Sequence, residues 1–497
     1  MKNMKNMKNI FKGLAAVSLL FLGSCGKDFL EVKPTEFISA EQITEASKLN
    51  PDLQNANISG IYANMYTTYT GGTSNHDDFG HRGYDIYTDM LCADMAHYKV
   101  NYGWYTSISR LQATVDYTSN QNYKPWRYYY RIIRGANTVI DGLGGNDAVL
   151  SDDASKFIMG QAKAMRAYGY FYLANLFANS YDPAKPILPI YINTTDPNQP
   201  LSTTKEVYDL IVKDLTESIT LLDGFTRAAK NEVDKTVAQT LLAYAYASMG
   251  DWTNSALMSD AVIQSGTYTI MDIDEAVGGF NDVNTAGWIW GVDLTTEIGL
   301  DLVSWWGQVD IFTYSYAAVG NTKTMDEGLY SKIAATDIRK TQFLNAPGHN
   351  YYLTPYKKFY APERKVFTQR TILTDYVYLR VSEMYLLNAE ANAHSGSEAT
   401  AKERLKDLLS NRFADAADYA YVDGLSGQAL LDEIYLQTRI ELWGEGKSYL
   451  AMKRNKATVT RGSNHFYLAG QSFSYDDDKL TFEIPQSEVQ NNPNISE

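Results

Sequence analysis

The chain has 497 residues, 45% hydrophobic and 21% charged, an ordinary balance for a globular protein long enough to bury a large core. Lys and Arg number 44 against 58 Asp and Glu, giving a formal charge of −14, and that acid excess argues against nucleic acid or an anionic lipid surface as a partner. Aromatic side chains stand out: 38 tyrosines and 8 tryptophans exceed what core packing accounts for, and they suit a surface that recognises a ligand by stacking and hydroxyl hydrogen bonds.

At the N-terminus Lys2, Lys5, Lys8 and Lys12 precede the apolar run 14–22, with no acidic residue among them. The run is too short to span a bilayer, which takes about 20 residues, and has the length of a secretory signal's apolar region. It ends in Gly23-Ser24-Cys25 and so resembles a bacterial lipobox, in which the thiol is acylated and the chain is cut to leave Cys25 first. Residues 1–24 are therefore read as a lipoprotein signal peptide and 25–497 as a single domain. Cleavage removes four lysines and takes the charge from −14 to −18. Gly26 follows the cysteine where inner-membrane retention would place Asp, so the expected location is the outer membrane, lipid-anchored and exposed at the cell surface. With Cys25 acylated, Cys92 has no disulfide partner within the chain.

Helical signals come next. Residues 123–140 form one helix, ended by Gly142, Gly144 and Gly145, and residues 153–177 a second. Thr203 and Glu206 make a capping box for a third, which places Val207, Leu210, Ile211, Leu215 and Ile219 on one face before Gly224. The stretch 242–252 has small residues and Gly250 where two helices would cross closely, and it resembles a degenerate tetratricopeptide turn. A similar pair spans 376–412, and a long helix is expected from about 430 to 453. Between these hairpins, at about 123–265 and 376–453, the segment 267–373 is loop-rich, with Trp288-Ile289-Trp290 alternating as a strand does. The expected fold is mainly α, a tetratricopeptide-like scaffold of helical hairpins with an irregular loop and short-strand face.

Six fragments in order resemble the SusD/RagB family of nutrient-binding outer-membrane lipoproteins: Cys25-Gly26-Lys27-Asp28-Phe29-Leu30-Glu31 with Pro34-Thr35; Arg131 to Asn137 with Val139-Ile140; the run around Arg166-Ala167-Tyr168; Tyr378-Leu379-Arg380-Val381-Ser382-Glu383 with Ala389-Glu390-Ala391; Arg439-Ile440-Glu441-Leu442-Trp443-Gly444-Glu445-Gly446-Lys447; and Ile484-Pro485 with Glu488, Asn492 and Pro493. The resemblance implies a tetratricopeptide-like scaffold carrying a variable loop face, a lid on a SusC-like TonB-dependent outer-membrane transporter. It also implies capture of an oligosaccharide without catalysis, or of a peptide in the manner of RagB. Glu383, Glu390, Arg439 and Glu441 within these motifs are read as a structural ion-pair network pinning the hairpins.

A sugar presents C–H faces and hydroxyl edges, so its site needs aromatic planes beside amides and carboxylates. Residues 62–130 hold 13 of the 38 tyrosines. Within them Asp94, Tyr98, Asn101, Tyr102, Trp104 and Tyr105 lie in a run without helical apolar periodicity. Trp305 and Trp306 form the second candidate, in the irregular middle region; on an extended chain adjacent side chains point to opposite sides, so at most one of the pair would face a ligand. The ligand face is thus expected at about 62–122 and 267–373, whereas Trp288 and Trp290, two apart on a strand, pack inward together.

Enzyme signatures are missing: there is no phosphate-cradling glycine loop, His-Glu-x-x-His helix, Gly-x-Ser-x-Gly elbow or Cys-x-x-Cys pair. The clusters at 76–81 and 476–478 are read as solvated loops rather than zinc or calcium sites, so no metal or cofactor is expected. The competing class, a surface glycoside hydrolase, would need two carboxylates from separate elements facing one bond, and Asp85 with Asp89 or Glu441 with Glu445 lie one helical turn apart instead.

Overall fold

The computed structural model describes residues 52–359 and 364–495; the expected signal peptide, residues 1–24, and Cys25 lie outside the described residues. Helix α1 (Asp52–Asn64) leads into α2 (His81–Leu91) and a short strand β1 (Met95–His97). Helix α3 (Asn120–Gly142) starts where the Ser119 side chain accepts from the backbone N–H of Gln121, and α4 (Asp153–Phe177) where Asp152 accepts from Ser155. From Ile158 onward every residue of α4 is buried, because helices pack on it from several sides. Gly169 permits the crossing with α3: a Cβ there would lie 2.7 Å from Ile133 Cγ1 and 3.2 Å from the Tyr129 carbonyl oxygen.

The Thr203/Glu206 capping box opens α5 (Thr204–Leu221). Helix α6 (Lys235–Met249) stops at Gly250, whose φ of 75° is left-handed, and Asp251 caps α7 (Trp252–Gln264) at once. Small residues hold this pair close, with the Ser255 hydroxyl donating to the Ala243 carbonyl at 3.0 Å. The excursion that follows contains strand β2 (Trp288–Val292), the one-turn helix α8 (Trp305–Val309) and strand β3 (Lys323–Met325). It returns as β4 (Tyr376–Arg380), antiparallel to β2 with Trp288 opposite Arg380 and Val292 opposite Tyr376. Both Trp288 and Trp290 are buried there.

Helices α9 (Val381–His394) and α10 (Glu398–Leu409) resume the scaffold, so that α3, α4, α5, α6, α7 and α9 each pack on the next in line. The long helix expected at 430–453 is two: α11 (Gly427–Glu441) and α12 (Lys447–Arg454). Gly444 and Gly446 turn the chain between them with φ of 80° and 72°. A Cβ on Gly446 would lie 2.3 Å from Asp85 Oδ1, so the break lets α12 close on α2. The short helix α13 (Gln486–Asn491) ends the fold, which is mainly helical, with four two-stranded sheets among the described residues.

Glu383, Glu390, Arg439 and Glu441 each have a partner inside this core, but they do not form one network. Glu441 accepts from Arg380 Nη1 at 2.5 Å, Arg412 Nη2 at 2.7 Å and Arg339 Nη1 at 3.2 Å. Burial by itself would raise its pKa; Arg412, Arg380 and Arg339 together hold it well below the usual carboxylate range. Arg439, two residues away and hence on another helix face, pairs instead with Asp94 at 2.6 Å. Glu390 pairs with Arg454 at 2.8 Å, and Glu383 accepts from the Tyr244 hydroxyl at 2.7 Å and from the backbone N–H of Arg380.

Candidate functional site

Strands β1 and β3 pair antiparallel, Met95 opposite Met325 and His97 opposite Lys323, and so bring together two loops more than 200 residues apart in sequence. Asn101 Nδ2 donates to the Val319 carbonyl at 2.8 Å, and the backbone N–H of Tyr102 donates to Asn321 Oδ1 at 3.2 Å. A third loop, ending at His76, closes the cluster. The His76 ring stacks on Trp104 with centroids 5.0 Å apart and planes 15° from parallel. Tyr316 stands edge-on to His76, Trp104 and Tyr102 at 5.8, 6.2 and 5.2 Å, and its hydroxyl is hydrogen-bonded to His76 Nδ1.

Tyr102 is 46% exposed and nearby Tyr69 41%, with Trp104, His76 and Tyr316 half-buried, so the group forms an accessible aromatic arc. A cleft of about 670 Å³ runs beside it, lined by Tyr66, Tyr69, His76, Glu297 and Asp301 among others. The arc rests on a buried support. Gln308 Nε2 donates to the His76 carbonyl at 2.9 Å, and Lys323 Nζ donates to the Gln308 side-chain and backbone oxygens at 3.0 and 3.1 Å. Burial pulls the Lys323 pKa down to about 7, against a partial lift from Asp77.

The residues expected to bind a ligand divide. Tyr102 and Trp104 stand in the arc, Asn101 tethers it, and Tyr98 is half-buried beside it, 6.1 Å from Tyr352. Four are removed from any surface. Asp94 is fully buried, its carboxylate held by Arg439 and its carbonyl accepting from Trp443 Nε1 at 2.8 Å. Tyr105 takes a left-handed φ of 66° and turns into the core against Tyr87, at 5.4 Å. Trp305 and Trp306 are 0% and 1% exposed, because Ser304 caps α8 and the chain there is helical, not extended. Both indoles enter the core, Trp305 against Phe359 at 4.6 Å and Trp306 stacked on Tyr376 at 6.4 Å.

His76, Tyr69 and Tyr316 were not foreseen as a group. The available signal was Tyr314-Ser315-Tyr316, two tyrosines close together in the loop-rich segment between the helical hairpins. The 76–81 cluster does not converge: His76 joins the arc, Asp77 is ion-paired with Lys124, Asp78 accepts from the backbone of Gly71 and Thr73, and His81 sits in the core at 2.7 Å from the Tyr168 hydroxyl. Burial lowers the His81 pKa well below its ordinary value and keeps the ring neutral. Among the described residues no helix is long and apolar enough to cross a membrane.

Residues 28–249 match a family model described as SusD-like, starch-binding associating with outer membrane, and residues 309–497 match that of the SusD family. A SusD-like protein of Formosa agariphila is 23% identical over 286 residues, 57% of this chain and 51% of the relative, so the match spans about half the length of that curated relative. Among solved structures, a SusD-like carbohydrate binding protein from Bacteroides vulgatus superposes with a TM-score of 0.75 at 25% identity, covering 89% of this chain and 96% of the other. A SusD superfamily protein from Bacteroides fragilis gives 0.73 at 24% identity, covering 90% and 99%.

Proposed function

Because this chain belongs to the SusD family, we propose that it is a non-catalytic outer-membrane lipoprotein that captures an oligosaccharide and passes it to a SusC-like TonB-dependent transporter. In this reading lipid on Cys25 tethers residues 25–497, which act as one unit. The observation that carries the proposal is the exposed arc of Tyr69, His76, Tyr102, Trp104 and Tyr316. Stacked and edge-on rings of this kind offer planes for pyranose faces, and the carboxylates of Glu297 and Asp301 in the adjoining cleft can accept sugar hydroxyls. Among the described residues lining the cleft, Glu297 and Asp301 are the acids and both come from one segment, whereas a glycosidase pair comes from separate elements.

Incubation of the purified protein with a glycan panel tests both halves. Saturable binding without time-dependent release of reducing ends is the expected result; reducing ends appearing at a rate proportional to protein would overturn the non-catalytic reading. Binding to a peptide library with no glycan bound would replace the oligosaccharide by a peptide.

A further inference from the structure

Away from the aromatic arc, a groove of about 650 Å³ runs between the outer face of α3, the loop after Tyr191 and helix α13. Arg127, Arg131 and Arg134 stand exposed along α3 at its rim, at steps of four and three that place them on one stripe. Many other arginines of this chain are committed to internal partners: Arg166 to Asp214, Arg227 to Asp234, Arg364 to Asp310, Arg439 to Asp94. Among the described residues Arg131 and Arg134 are the two whose guanidinium groups have no hydrogen bond, ion pair or ring contact, and Arg127 has only the Tyr123 hydroxyl at 3.0 Å and that ring.

Neither carboxylate in the groove is ion-paired with these arginines. Asp196 accepts from the backbone N–H groups of Ile192 and Asn193 at 2.8 and 2.9 Å, and Glu488 accepts from Asn492 Nδ2 at 2.9 Å. The floor between arginines and loop holds Tyr130 and Tyr191, edge-on at 6.0 Å, with the amides of Asn193, Asn198 and Asn491 around them. Three guanidiniums against two satisfied carboxylates make a locally positive groove on a protein whose formal charge is −14.

We propose that this groove is a second binding site, for an acidic oligosaccharide carrying carboxylate or sulfate groups. Arg131 and Arg134 lie about 5 Å apart along the helix axis, so each can meet an oxyanion on neighbouring sugar units through paired N–H donors, the geometry in which guanidinium outperforms ammonium. The tyrosines supply ring edges and the asparagines read hydroxyls, which a bare charged surface would not. Elsewhere the negative charge of the protein repels such a chain, so the groove confines it to one place.

The test titrates the full chain, lacking only its signal peptide, with a galacturonate tetramer and with dextran sulfate, using neutral dextran as control. Wild type should bind both anionic probes; Arg131→Ala/Arg134→Ala should weaken them about tenfold or more, as loss of charge-assisted hydrogen bonds requires. Arg131→Lys/Arg134→Lys should keep part of the affinity, and Trp104→Ala, in the other site, all of it. The proposal is overturned if wild type binds neither anionic probe, if the double alanine variant binds as wild type, or if Trp104→Ala abolishes the binding. Binding to anionic lipid vesicles with none to the free acidic glycans would also overturn it.

Discussion

Replacing Glu441 by Gln removes one negative charge from the middle of a buried cluster while leaving its shape nearly unchanged. Around it Arg339, Arg380, Arg412 and Lys358 face Asp337, Glu441 and Glu445, four cations against three carboxylates, and each of these side chains is no more than 3% exposed. The variant leaves four buried cations with two carboxylates, and an amide offers one acceptor oxygen where three guanidiniums now converge. Breaking a buried pair from one side costs about 3–5 kcal/mol. A native protein has only about 5–15 kcal/mol in reserve, so Glu441→Gln should cut the stability severely. Thermal and urea unfolding of purified variant and wild type measure this, with Lys205→Ala, which removes an exposed partner of Asp209, as a control expected to leave the melting midpoint unchanged. A loss below about 1 kcal/mol for Glu441→Gln would mean that water reaches the cluster and that the arginines do not depend on this carboxylate.

Glu445 makes the acid side of the same argument. Burial favours its neutral form, yet Arg380 and Lys358 hold its pKa at about 2, against 4.5 ordinarily. Its contribution is therefore complete above pH 4.5 and lost as pH falls from 4.5 toward 2, up to about 3 kcal/mol; Glu445→Gln should flatten that part of the stability curve, and an unchanged slope would refute it. Lys323 acts at the other end, since its folded pKa of about 7 lies below the ordinary 10.5. The unfolded chain then binds more protons between these values, so stability rises with pH from 7 toward 10.5, and Lys323→Met should remove that rise. The same variant should weaken glycan binding, because Lys323 holds Gln308 and Gln308 holds His76; wild-type affinity in Lys323→Met would show that the arc does not need this support.

Helices with caps and periodic apolar faces were legible in the sequence: the span 153–177 is α4, the Thr203/Glu206 box marks the start of α5, and Gly250 the end of α6. The break between α11 and α12 was not, because a glycine inside a helical stretch does not by itself end the helix, and the close approach that needs Gly446 is made by Asp85, some 360 residues away. The site was half legible. Tyr102 and Trp104 lie in a segment whose lack of periodicity points outward, but Asp94 and Tyr105 flank them and are drawn inward, Asp94 by Arg439 from far along the chain and Tyr105 by the core around Tyr87. Trp305 and Trp306 were misplaced by a local error: Ser304 is a helix cap, and one turn of helix sends both indoles into the core where an extended chain would have divided them. His76, expected in a solvated loop, and Tyr316 were not linked, because 240 residues separate them and the pairing of β1 with β3 brings the Tyr316 loop to this face.

Calorimetric titration of wild type and Trp104→Ala with the neutral oligosaccharide that wild type binds best tests the arc most directly. Trp104 is half-buried at the surface, so the variant should melt close to wild type while its affinity falls about tenfold or more. Equal affinity in a folded Trp104→Ala protein would contradict the assignment of the arc as the glycan site.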